Sequence, residues 1–112
     1  MALNSDEAAK RVLIGYRQLN EIVKEHIGLS SAKAHVASYN KILDTLNQCF
    51  SIDPAFKDAV SHLHPLEYIK GADLLLAHQM ESDGRVLLAT AHSFIEMYLS
   101  PEEKKKAIGF HG

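Results

Sequence analysis

Seven histidines in a chain of 112 residues, at positions 26, 35, 62, 64, 78, 92 and 111, are the side chains here with the most chemistry open to them. His26 continues the apolar line of Val12, Tyr16, Leu19 and Val23. His35 shares a line with Tyr39, Ile42, Leu46 and Cys49, His92 with Leu88, Ile95 and Leu99, and His78 flanks Leu74 and Leu75. In an up-down-up-down bundle, two hairpin loops near 28–31 and 82–84 would meet at one end. At 1.5 Å per residue, His26, His35, His78 and His92 would then lie within roughly 12 Å of that end. Glu96 stands one turn from His92 and Glu81 three residues after His78, so the set could offer imidazole and carboxylate donors to a transition metal such as zinc or iron. Each histidine can equally be a boundary residue, its ring packed and one nitrogen hydrogen-bonded, and no helix carries the HxxxH or ExxH spacing of paired ligands. His62-Leu63-His64 is a second pair, able to chelate zinc or nickel or to cap the helix that follows.

Arg85 and His92, seven residues apart, fall two turns apart on one helical face. A guanidinium to hold a phosphate and an imidazole to move a proton are the minimum for metal-free phosphodiester cleavage. This Arg-x6-His spacing resembles the signature of HEPN domains, over the stretch 72–99. The resemblance implies an all-helical, often dimeric fold and ribonuclease activity with Arg85 and His92 as catalytic residues. The position after the arginine, polar in that family, is Val86 here. Glycine-rich phosphate loops, nucleophile elbows, zinc-finger spacings and the lysine-glycine pattern after a phosphotransfer histidine are absent.

The elements that must position these groups read as helices throughout. Threonine occurs only at 45 and 90, and no run alternates apolar with polar residues, so strands have little to build on. Asn4 with Glu7 predicts a capped first helix with the seam Ala9, Val12, Tyr16, Leu19, Val23, stopped by Gly28. Ser30 or Ser31 should cap a second, with the seam Ala32, Val36, Tyr39, Leu43, Leu46, Phe50, antiparallel to the first. Asp53-Pro54 opens a short linking helix to about His62. After His64-Pro65, the pattern Leu66, Ile69, Leu76, Met80, with Asp73 in line, predicts a helix to about Glu81. Asp83-Gly84 reads as a break, followed by a helix from Arg85 to Leu99. Ser100-Pro101-Glu102-Glu103 starts a last short helix through Lys104 to Lys106, a dipole-matched and solvated end. The expected fold is one all-α domain over 1–112: four main helices in two antiparallel hairpins with short linking and C-terminal helices, the ends 1–4 and 108–112 frayed.

Hydrophobic residues at 46% and charged residues at 23% are ordinary for a globular chain, so folding is expected. A net charge of −2 and the absence of a basic face disfavour nucleic acid as a partner. MALNSDEAAKRV lacks the apolar stretch of a secretory leader and no run could span a bilayer, so a soluble, cytoplasmic protein without membrane association is expected. The lone Cys49 fits a buried thiol in a reducing compartment. Leu74-Leu75-Leu76-Ala77 and Val86-Leu87-Leu88-Ala89 wrap beyond one stripe, which in so small a domain points to a homodimer through the 66–99 hairpin. The function these features support is a small interaction or scaffolding module; the histidine-cluster metal bundle and the HEPN-like ribonuclease are the alternatives.

Overall fold

Asn4 closes the first helix as the sequence predicts: its Oδ1 accepts from the Glu7 amide at 2.8 Å, and its Nδ2 donates to Glu7 Oε1 at 3.0 Å. In the computed structural model, which describes residues 4–24 and 29–106, Asn4 is therefore an ordered cap rather than part of a frayed end. The helices are α1 (Ser5–Lys24), α2 (Leu29–Phe50), α3 (Pro54–Ala59), α4 (Asp73–Tyr98) and α5 (Pro101–Lys106). Gly28, His26 and the tail 108–112 lie outside the described residues. Both seams are where the periodicity puts them. Ala9, Val12 and Leu19 of α1 and Tyr39, Leu43, Leu46 and Phe50 of α2 are buried, with Tyr16, Val23 and Val36 packed against them. Because α2 already begins at Leu29, Ser30 and Ser31 lie inside the helix and neither is its N-cap.

The predicted four-helix, two-hairpin arrangement is replaced by three long helices. Asp83-Gly84 does not break the chain, and α4 runs through it for 26 residues. Gly84 serves packing instead of turning: a Cβ there would stand 2.8 Å from Val23 Cγ2, so its bare backbone lets α1 and α4 approach. Asp83, the one buried charged residue among those described, accepts from Gln79 Nε2 at 2.8 Å one turn back in the same helix. Gly84→Ala sets a gain of about 1 kcal/mol in helix propensity against overpacking of about 1–3 kcal/mol on a stiff β-branched neighbour. The expected result is a lower Tm, with Val23→Ala in the same chain recovering part of the loss. A Tm raised by Gly84→Ala alone would mean that the two helices are not in close contact.

Helix directions follow from the cross-contacts. Tyr16 meets His92, and the Ser100 amide donates to Asp6 Oδ1 at 3.3 Å, so α1 and α4 are antiparallel. Phe50 meets Phe94 at 5.3 Å between ring centroids while Tyr39 lies near Asp83, so α2 and α4 run the same way. Two parallel neighbours require a connection that travels the length of the bundle. Residues 51–72 supply it. Asp53 caps α3, with Oδ1 accepting from the Ala55 amide at 3.0 Å, and Pro54 fills the first helical turn. The chain then leaves the helix at Ala59, not His62, and climbs without regular structure. Leu63 is buried, and Asn40 grips the Leu66 backbone twice, donating to its carbonyl at 2.8 Å and accepting from its amide at 2.7 Å. Lys33 lies over the Tyr68 ring, 4.9 Å from its centroid. Gly71, at φ +89°, turns the chain into α4. The helix predicted from Leu66 is thus delayed to Asp73, because these contacts hold 63–69 in an irregular course along the bundle.

An aromatic cluster closes the far end. Phe94 stands 5.1 Å from Phe56 and 4.8 Å from Tyr98, ring to ring, besides Phe50. The Tyr98 hydroxyl donates to Asp53 Oδ2, tying the cap of α3 to the end of α4 and holding the phenol above its ordinary range. Ser100 accepts from the Glu103 amide at 3.3 Å, starting α5 as predicted, and Glu103 reaches Lys10 of α1 at 3.8 Å.

Candidate functional site

The unbroken α4 decides what the histidines can do. His78 and His92 lie on one straight helix fourteen residues apart, hence roughly 21 Å along its axis, so they cannot share a metal. His78 is exposed; His35 on α2 is half-buried; Glu96 is exposed, one turn beyond His92. Among the described residues, no three His, Cys, Asp or Glu side chains are grouped so as to hold a metal ion. The convergence expected of His26, His35, His78 and His92 depended on a loop at 82–84, and that loop is helix. His92 instead packs half-buried against Tyr16, ring centroids 6.1 Å apart and tilted by 52°. His62 and His64 are both exposed on either side of buried Leu63, a pair in an irregular segment with its apolar centre turned inward.

Arg85 and His92 do share a face, as their spacing demands. The Arg85 guanidinium, however, reaches back one turn to Glu81 at 2.7 Å, away from His92, with 69% of the side chain exposed. The two groups are therefore spread along the helix by about 10 Å of rise and do not converge on one phosphate-sized site.

Two other polar groups are buried. Burial pushes the Cys49 thiol up, with Arg11 offsetting part of the effect, and its 1% exposure makes it a structural residue as the sequence suggests. Tyr39 is fully buried, and its hydroxyl has no hydrogen-bond partner among the described groups. Burial first, and then Asp83, hold this phenol far above its ordinary range. Tyr39→Phe is accordingly expected to leave stability unchanged or raise it by about 1 kcal/mol, read from thermal melts at pH 7. A loss above that size would reveal a bond to the hydroxyl. In wild type, stability should fall as pH rises beyond about 10, where the unfolded tyrosine loses its proton and the folded one keeps it. Tyr39→Phe should flatten that fall.

What the molecule does present is surface. Of the five large hydrophobics exposed among the described residues, Ile69 is 60% exposed, Leu74 57%, Leu75 68% and Met97 65%, all on α4 or the segment entering it. Two lines run side by side along α4. One is charged or titratable for much of its length: Leu74, His78, Glu81, Arg85, Leu88, His92, Glu96. The other, displaced by one residue, contains no charge: Leu75, Gln79, Ser82, Val86, Ala89, Ser93, Met97. Each member of this second line is exposed or half-buried. At its two ends it borders shallow grooves, one floored by Leu66, Ala72 and Leu76, the other lying between Ala55 and Ala59 of α3 and Ser93 of α4. A larger groove of about 690 Å³ separates α1 from α2; Gly15, Ile22, Ile42 and the exposed Ile14 give it an apolar bed, and Arg11, Gln18, Glu21, Lys41 and Thr45 stand around it. The sequence reading found the apolar excess of 74–77 and 86–89 and missed the line, because it divided the helix at Gly84.

No protein-family model matches the chain, and no curated protein and no solved structure is similar to it. Among the described residues, no helix is long and apolar enough to cross a membrane.

Proposed function

We propose that the protein is a small interaction module that works as a homodimer, with the uncharged line of α4 and the adjoining segment 66–72 as its contact surface. The observation that carries this reading is the exposure of Leu75, Met97 and Ile69 beside a helix face without a single charge. Side chains of this size are the ones a partner would desolvate, and depletion of charge is the compositional mark of an interface core. The polar chemistry does not converge: Arg85 turns to Glu81, and His78 and His92 stand apart. A buried, unpartnered Cys49 supports a cytoplasmic setting.

Sedimentation velocity over a range of micromolar concentrations tests the reading. Wild type should sediment as a dimer. Leu75→Glu should weaken association at least about thirtyfold, since two-fold symmetry places each new carboxylate in the interface twice. Leu75 is exposed, so the far-ultraviolet circular dichroism should not change. A wild-type monomer at every concentration would overturn the proposal.

A further inference from the structure

We infer that the groove between α1 and α2 binds a free long-chain carboxylate, its acyl chain laid along the apolar bed and its head group held by Arg11. The inference is independent of the homodimer reading, since no residue of α4 lines this groove. The bed exists because Gly15 carries no side chain: a Cβ there would stand 3.1 Å from Leu46 Cδ2 and 3.8 Å from Ile42 Cγ2, over the floor between the two helices. Ile22 and Ile42 are buried beneath, while Ile14 stands 57% exposed at the edge. Ile14 is the one large exposed hydrophobic among the described residues that lies away from α4 and the segment entering it. The lining runs from Arg11 to Ile22 along α1, about 16 Å of helix, and the volume of about 690 Å³ falls within the range of about 300–1,000 Å³ typical of small-molecule sites. A slot that long, between two helical walls and without a polar side chain in its bed, fits a linear hydrocarbon chain. A compact ring would leave its ends in water.

The charges around the bed set the head group. Arg11 and Lys41 stand on opposite walls, and among the described residues neither forms an ion pair. The nearby carboxylates have other partners: Glu7, one turn before Arg11, is held by Asn4, and Asp44, three residues after Lys41, accepts from Gln48. Arg11 lies close enough to Cys49 of α2 to offset part of the rise in its thiol pKa, so the guanidinium sits at one end of the groove and faces both helices. Glu21, the one carboxylate in the lining among the described residues, is about 15 Å away along α1 at the other end. An anion is therefore drawn to the Arg11 end and kept from the Glu21 end, which fixes one direction for the chain. A guanidinium also meets a carboxylate with two parallel hydrogen bonds, a match that a lysine in its place would not offer.

Titration of the isotope-labelled full chain with dodecanoate below its micelle concentration, followed by two-dimensional NMR, tests the inference; the extended probe is about as long as the groove. The amides of Ile14, Gly15, Ile22 and Ile42 should shift and saturate, and those on the open face of α4 should not. Dodecyltrimethylammonium, with the same chain and the opposite charge, should bind at least about tenfold more weakly. Acetate, a head group without a chain, should leave these amides in place. Arg11→Gln and Ile14→Glu each change an exposed side chain, so the far-ultraviolet circular dichroism should be unaltered, and each should weaken dodecanoate about tenfold. No saturable shift in the groove, equal binding of the two head groups, or an unchanged affinity in either variant would overturn the inference. So would shifts at the same amides that follow protein concentration without any ligand, since a second copy would then cover the groove. A dimer through α4 leaves every one of these outcomes unaffected.

Discussion

Replacing Phe94 with alanine will lower the stability of the folded chain by about 3–5 kcal/mol, read in a thermal melt as a fall in Tm of roughly 15 °C or more. Phe94 is fully buried and stands within 5.3 Å, ring to ring, of Phe50, Phe56 and Tyr98, so it joins α2, α3 and the end of α4 at a single point. Its removal leaves a cavity that three rings held by separate elements cannot all close, and the aromatic pair geometry is lost together with the buried area. Domains of this size have about 5–15 kcal/mol in all, so the loss is a large share of the total. Phe94→Leu, which keeps most of the volume, should cost clearly less. Equal losses for the two variants, or a loss below about 1.5 kcal/mol for alanine, would show that the cluster is not the joint it is argued to be.

Asn40→Ala should cost about 2–3 kcal/mol, although Asn40 is only half-buried, because it leaves two backbone groups of Leu66 without partners. The side chain of Asn40 offers that backbone both a donor and an acceptor, as a neighbouring strand would. Native-state hydrogen exchange gives a local check: the Leu66 amide should be protected in wild type and exchange quickly in Asn40→Ala, while the amides of α1 change little. Asn40→Asp adds a test with a definite sign. A carboxylate keeps the bond from the Leu66 amide but meets the Leu66 carbonyl with a second acceptor, so the folded state favours the protonated acid and raises its pKa. Stability of that variant should then rise as pH falls through the carboxylate range, opposite to the usual acid loss. Normal stability in Asn40→Ala would mean that the 63–69 segment is held by Leu63 and the contact of Lys33 with Tyr68, without help from Asn40.

Local signals were legible where one stretch of chain supplied both partners, Ser30 and Ser31 excepted, which lie inside α2 and do not cap it. Asn4 with Glu7, Asp53 with Pro54, and Ser100 with Glu103 each complete a cap within four residues, and each forms as read. The two seams of α1 and α2 were legible for the same reason, since a three-and-four spacing is a property of one helix. Asp83-Gly84 was misread because its meaning lies elsewhere in the chain. A glycine that turns and a glycine that makes room look identical until Val23 is seen beside it. The delayed start of α4 was hidden likewise, as nothing between 63 and 72 announces that Asn40, twenty-six residues earlier, takes both hydrogen bonds of the Leu66 backbone.

The candidate site followed the same division. Spacing placed Arg85 and His92 on one face, and they are there, but only the fold turned the guanidinium toward Glu81 and the imidazole against Tyr16. The all-helical class, the caps and the apolar stripes belong to the sequence alone, because they rest on intrinsic backbone preferences and on interactions within a few residues. Helix number, the parallel course of α2 and α4, the separation of His78 from His92 and the uncharged face of α4 were decided by tertiary packing. There one close approach at Gly84 outweighed a local turn signal, and contacts distant in sequence chose where each helix starts and which side remains open.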